Sequence, residues 1–130
     1  MYVTYISYLN EGIISDEFIY HGTSKGAALR IQKSGIMSPS DTGEKELSIS
    51  FTNDIVYAEY YAKAKGGIDK MVILRTKLSD KFHLSPRINN NKGDEYITFE
   101  PIPTSELEIL THSGEWVSIN KWDIIFNEPI

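Results

Sequence analysis

The order of elements predicts an α+β fold: strands open the chain, two short helices are inserted early, and strands dominate the second half. No G-x-G-x-x-G follows a strand and no G-x-x-x-x-G-K-[ST] occurs, so the sequence supports neither a doubly wound dinucleotide-binding sheet nor a P-loop. With 130 residues, 41% of them apolar, the chain is long enough for one domain with its own core and too short for two, so residues 1–130 are read as one domain.

The elements follow from local pattern. "MYVTYISYL" is β-branched and aromatic with partial alternation and reads as a strand, or as a dangling edge. "EFIYHG" is a second strand. Ser24 is placed to cap a helix through "KGAALRIQKSG", in which Ala27, Ala28, Leu29 and Ile31 give apolar contacts and Gly35 the stop. "MSPSDTGEKE" is rich in turn formers and reads as a loop; "LSISFT" after it is a short buried strand. Thr52 or Asn53 then caps "DIVYAEYYAKAKGG", where Ile55, Ala58 and Ala62 recur at helical spacing and Tyr57 and Tyr61 form a neighbouring stripe. "MVILRTKL" is a continuous apolar strand. The loop "SDKFHLSPRINNNKGD" carries Asn, Gly and Pro, a composition that suggests mobility from Ser85 to Asp94. "EYITFEPI", "ELEILTH" and "EWVSINKWDIIF" close the chain as strands, and Glu100 is expected on the opposite strand face from Glu95.

Composition excludes several chemistries. There are no cysteines, hence no disulfide framework, thiolate metal site or thiol nucleophile. H-E-x-x-H is absent, and His83 and His112 stand alone in polar surroundings, so no metal site is expected. The net charge of −5 opposes broad adsorption to nucleic acid. No basic n-region opens the chain, and no stretch approaches the roughly 20 apolar residues of a membrane span. A cytoplasmic protein without a membrane partner is the expectation.

Three segments combine strand-end polar groups with glycine or aromatics: "YHGTS" at 20–24, "SISFT" with Tyr61 in the helix after it, and "GDEYITF" at 93–99. In this order they resemble the diphtheria-toxin-like ADP-ribosyltransferases, the group that includes the poly(ADP-ribose) polymerases with their His, Tyr and Glu signature. The likeness runs from about Phe18 to Leu110: His21-Gly22-Thr23 and a helix ending near "SGI", Phe51 before a helix with Ala58-x-x-Tyr61, then an apolar strand and Glu95-Tyr96-Ile97.

The resemblance implies a split β-sheet core with two short helices and NAD as co-substrate. It places His21, Gly22, Thr23, Ser50, Phe51, Thr52 and Tyr61 at the NAD site, with Glu95 and His21 as the catalytic residues. His21 would hydrogen-bond a ribose hydroxyl. Gly22 would bind the nicotinamide amide through its backbone, an approach that a side chain such as valine would block without disturbing the fold. Thr23 would offer a hydroxyl on the adenosine side, and Tyr61 would stack on the nicotinamide ring. Glu95 would hold the 2′-hydroxyl of the nicotinamide ribose and stabilise the charge that develops as the glycosidic bond breaks.

Ser50 stands where the polymerases carry their signature tyrosine. A hydroxyl there is similar to the Ser-x-Thr/Ser pattern of the arginine-modifying branch, yet that branch has arginine at the position of His21, and Gly93 replaces the first acid of its Glu-x-Glu. The mixed set favours an acceptor other than arginine and mono-transfer over polymer synthesis. The function expected is therefore a mono-ADP-ribosyltransferase acting on a macromolecule, a protein in preference to nucleic acid, in the manner of a bacterial toxin, effector or phage protein. Two alternatives stay open: an RNA 2′-phosphotransferase-like enzyme, for which Arg30, Arg75 and Arg87 are too scattered, and an inactive module binding NAD, ADP-ribose or a protein.

Overall fold

The structure, a computed structural model, describes residues 17–39, 48–67, 70–85 and 93–122. The strand expected over 1–9 lies outside them, as do residues 40–47 and 86–92 of the two polar loops and the end of the last expected strand.

The α+β class holds. β1 (Phe18–Ser24), β3 (Ile49–Thr52), β4 (Met71–Lys77), β5 (His83–Leu84), β6 (Glu95–Thr98), β8 (Glu108–Leu110) and β9 (Trp116–Ser118) form one sheet in the order β5-β6-β3-β1-β4-β8-β9. Every neighbouring pair in it is antiparallel. β2 (Ile36–Met37) and β7 (Ile102–Pro103) make a separate antiparallel pair, and α1 (Lys25–Ser34) and α2 (Ile55–Gly66) are the two helices. Among the described residues, no helix is long and apolar enough to cross a membrane.

The sheet is covered on both faces, which explains the unbroken apolar run of β4. In the β1–β4 register His21 lies beside Leu74 and Thr23 beside Val72, whereas Gly22 lies beside Ile73 and Ser24 beside Met71. Val72 and Leu74 join the main core with Ile19, Ala28, Ile31, Phe51, Ile109 and Trp122. Met71 and Ile73 turn to the other face, where Ala58 and Ala62 of α2 close over them. Alternation along the strand therefore buries both sets of side chains, as happens when each face of a sheet has a helix against it.

α1 forms where its caps predict. The Ser24 hydroxyl accepts from the Ala27 N–H at 3.2 Å, and Gly35, at φ 84°, returns its N–H to the Ile31 carbonyl at 3.0 Å. α2 is capped differently from the expectation: Asp54 accepts from the Val56 N–H at 3.0 Å, while Thr52 stays in β3 and Asn53 turns to another partner. Ile55, expected on the apolar stripe, is exposed; Ala58 and Ala62 are the residues of α2 that are buried.

Late in the chain, the expected strands are shorter and broken by turns. β6 stops at Thr98, whose hydroxyl takes the Glu100 N–H at 3.2 Å, so Glu100 is an exposed turn residue and does not continue the alternation. Met37, expected in a loop, is buried in β2 beside Ile102, and a two-residue strand, His83–Leu84, interrupts the polar loop after β4. Thr104–Glu106 is a 3-10 turn before β8. After β9, Ser118 accepts from Asn120 N–H and turns residues 119–121 into another 3-10 turn. Gln32 of α1 donates to the carbonyls of Ile119 and Trp122 at 2.9 and 2.8 Å, tying the helix to this turn.

Candidate active site

β1 and β3 are paired through a single rung, Tyr20 with Thr52, before the strands part. Where the ladder would continue, the His21 ring enters: its Nδ1–H donates to the Ser50 carbonyl at 2.6 Å. Because a carbonyl can only accept, this bond puts a proton on Nδ1, and in the neutral form of the ring the lone pair is then on Nε2. The ring is 6% exposed and tilts against Phe51 with centroids 5.4 Å apart.

Ser50 also serves the next strand. β3 and β6 pair with Thr52 opposite Glu95 and Ser50 opposite Ile97, so Ser50 is the diagonal neighbour of Glu95 on the same sheet face. Its hydroxyl donates to Glu95 Oε2. The backbone of Ser50 thus holds His21 of β1, and its side chain holds Glu95 of β6. Glu95 is fixed from the other side as well, its carbonyl accepting the Ser85 N–H at 2.8 Å.

Gly22 has a structural task that differs from the one expected. A side-chain carbon there would collide with the Ala58 carbonyl oxygen and lie 2.7 Å from the Ala62 nitrogen, two atoms joined by one helical turn of α2. The bare backbone lets β1 and α2 touch. The expectation that valine at this position would leave the fold intact is therefore corrected: the obstruction falls on α2 itself, whatever ligand the strand end meets.

The remaining candidates divide by exposure. Tyr61 follows the Ala58 turn that lies over Gly22, is 44% exposed, and sets its ring edge-on to Tyr57 with centroids 4.8 Å apart. Phe51 is a core residue, 2% exposed, with its ring against both His21 and Phe82. Its contribution to a site is to back the imidazole. Thr23 and Thr52 are buried, and Thr52 Oγ1 accepts from the Asp54 N–H at 3.1 Å.

Outside this region, His83 and His112 are exposed, and no group of three or more His, Asp or Glu is placed to hold a metal among the described residues. Arg75 lies between the rings of Phe18 and Trp116, 3.8 and 4.4 Å from their centroids, and pairs with Glu108 at 2.7 Å. Two aromatic faces and a carboxylate therefore hold this cation.

Sequence reasoning missed Asn53. Its N–H donates to the Asp94 carbonyl at 3.2 Å and its Oδ1 accepts the Asp94 N–H at 2.9 Å, a two-way clasp at the residue before Glu95. The Gly-Asp pair at 93 and 94 was the available signal: Gly93 adopts φ 70°, a conformation that favours glycine.

Fold and site together define an antiparallel α+β domain in which a histidine, a serine and a glutamate are tied across three strands. No family model matches the chain, and no curated protein matches it.

Proposed function

We propose that the protein is an NAD-dependent mono-ADP-ribosyltransferase that acts on a macromolecular acceptor, a protein in preference to nucleic acid. The observation that carries this reading is the convergence on Ser50 of His21 and Glu95, the first and last motifs of the resemblance.

The residues fit the co-substrate. With Nδ1 committed to the Ser50 carbonyl, His21 Nε2 is the nitrogen suited to accept a ribose hydroxyl proton. Tyr61, exposed beside the turn of α2 that covers Gly22, offers a ring face of the kind that stacks on a heteroaromatic, worth about 0.5–1.5 kcal/mol beyond its buried area. Glu95, oriented by Ser50, brings a carboxylate to the start of β6, where an anomeric centre could be held.

In the reaction, the bond from the nicotinamide nitrogen to the anomeric carbon breaks and its electron pair leaves with nicotinamide, which becomes neutral. The acceptor's lone pair forms the new bond to that carbon, and the acceptor gives up its proton to water. Glu95 faces the positive charge on the sugar between these events and stabilises it more than it stabilises the ground state. Nicotinamide needs no protonation to depart, so one carboxylate suffices, in contrast to the paired acids of glycoside hydrolysis.

The experiment is incubation of the protein with NAD labelled in its adenylate half in cell lysate, with and without nuclease. The expected result is a nuclease-resistant labelled band together with released nicotinamide. If neither label transfer nor nicotinamide release occurs, the enzyme reading fails and a binding module replaces it. A band lost to nuclease would reassign the acceptor to nucleic acid.

A further inference from the structure

We infer that Asn53 is a positioning residue for Glu95: by clasping Asp94 through both its backbone and its side chain, it sets where the Glu95 carboxylate stands beneath Ser50. The catalytic consequence rests on the transferase reading above; the positioning itself does not.

Glu95 is the first residue of β6 and forms the last β3–β6 rung with Thr52. The first residue of a strand is where a ladder frays, because the chain ahead of it has no further rung to hold it. Here the chain ahead is held. The Asn53 N–H reaches the Asp94 carbonyl at 3.2 Å, and the Asp94 N–H reaches Asn53 Oδ1 at 2.9 Å, so a side-chain amide supplies the acceptor that a further backbone rung would have supplied.

Gly93 completes the arrangement. At φ 70° it turns the chain into the clasp, and a side-chain carbon there would run into Asn53 Oδ1 and come within 3.0 Å of Asp54 Cβ. The approach of Gly93 and the acceptor of Asn53 therefore occupy the same small space. Ser50 reaches Glu95 along a diagonal, so a displacement of the strand start changes the reach from the carboxylate to the hydroxyl that orients it.

Asn53 precedes a helix, and an asparagine there would ordinarily be read as its cap. That role belongs to Asp54, which accepts from the Val56 N–H. Removing the Asn53 amide consequently leaves the α2 cap in place, and the effect of the substitution is separable from loss of the helix.

The test compares the wild type with Asn53→Ala, Asn53→Asp and Ser50→Ala, using protein labelled with ¹³C at the glutamate carboxyls. Asn53→Asp keeps an acceptor at Oδ1. Asn53→Ala is expected to move the Glu95 carboxyl resonance toward its position in Ser50→Ala, and Asn53→Asp to return it close to the wild-type position. In the NAD-cleavage assay, Asn53→Ala should lower kcat by about tenfold or more while KM for NAD changes little, since a misplacement on the order of 1 Å acts on the reacting geometry. An unmoved Glu95 resonance in Asn53→Ala overturns the inference, as does a moved resonance with undiminished kcat. If the wild type cleaves no NAD, the transferase reading has failed, and the resonance alone decides the positioning.

Discussion

The Ser50 hydroxyl donates to Glu95 Oε2 across the β3–β6 diagonal. The same residue gives its carbonyl to His21, so one serine sets the direction of a carboxylate and the tautomer of an imidazole. Only the first of these depends on the side chain, which makes the two separable by mutation.

Ser50→Ala should therefore leave the His21 bond in place and release the carboxylate. Hydrogen bonds to charged groups contribute about 1.5–3 kcal/mol, so a loss of roughly 10–100-fold in kcat for NAD cleavage is expected if the bond orients Glu95 for reaction. KM for NAD should change little, and Ser50→Thr, which keeps a hydroxyl on a residue suited to strands, should recover much of the rate. Steady-state kinetics of the three proteins checks this; an unchanged kcat in Ser50→Ala would show that the bond has no catalytic part.

Gly22→Ala should destabilise the fold before it affects any ligand. The added carbon meets the backbone of α2 at Ala58 and Ala62, and backbone cannot swing aside as a side chain can. A cost of about 1–3 kcal/mol or more is expected, from overpacking between two well-packed elements. Urea unfolding measures it. A midpoint equal to that of the wild type would mean that α2 lifts from β1 at no cost.

Much of this geometry was legible in the chain where its causes are local. Ser24 and Gly35 bracket α1 because both caps act within a few residues, and the run Met71 to Leu74 reads as a strand because both of its faces are covered. Asn53 was read as a possible helix cap because its partner, Asp94, is 41 positions away. The His21 bond spans 29 positions and the Ser50–Glu95 bond 45, so neither could be derived from spacing alone. The order of these residues is legible in the chain, and what each one touches is not. Gly22 shows the difference: the demand for glycine was legible, and its source, the backbone of α2, became visible with the fold.

Tyr96 gives a pH prediction that is independent of NAD. Partial burial, and then the nearby carboxylates of Glu17 and Asp94, raise its phenol above the ordinary value of 10.0. Up to about that pH the phenol is neutral in folded and unfolded chains alike, and it leaves stability unchanged. Above it the unfolded chain loses the proton first, the folded state binds more protons, and stability falls until the pH passes the raised value. Urea midpoints at about pH 9 and about pH 11 should therefore drop more for the wild type than for Tyr96→Phe. Equal drops would place the alkaline loss on other groups.

The most direct measurement is NAD cleavage by Glu95→Gln, with NAD affinity determined on the same protein. Glutamine keeps the size of the side chain and an acceptor oxygen for the Ser50 hydroxyl, but not the charge. A carboxylate that acts mainly on the developing positive charge should then show a loss of kcat on the order of 10²–10³-fold, about 2.7–4 kcal/mol, with little change in binding. Glu100→Gln, at an exposed turn beyond the end of β6, should match the wild type. Full activity in Glu95→Gln would contradict the assignment of Glu95, and a wild type without NAD turnover would contradict the enzyme reading itself.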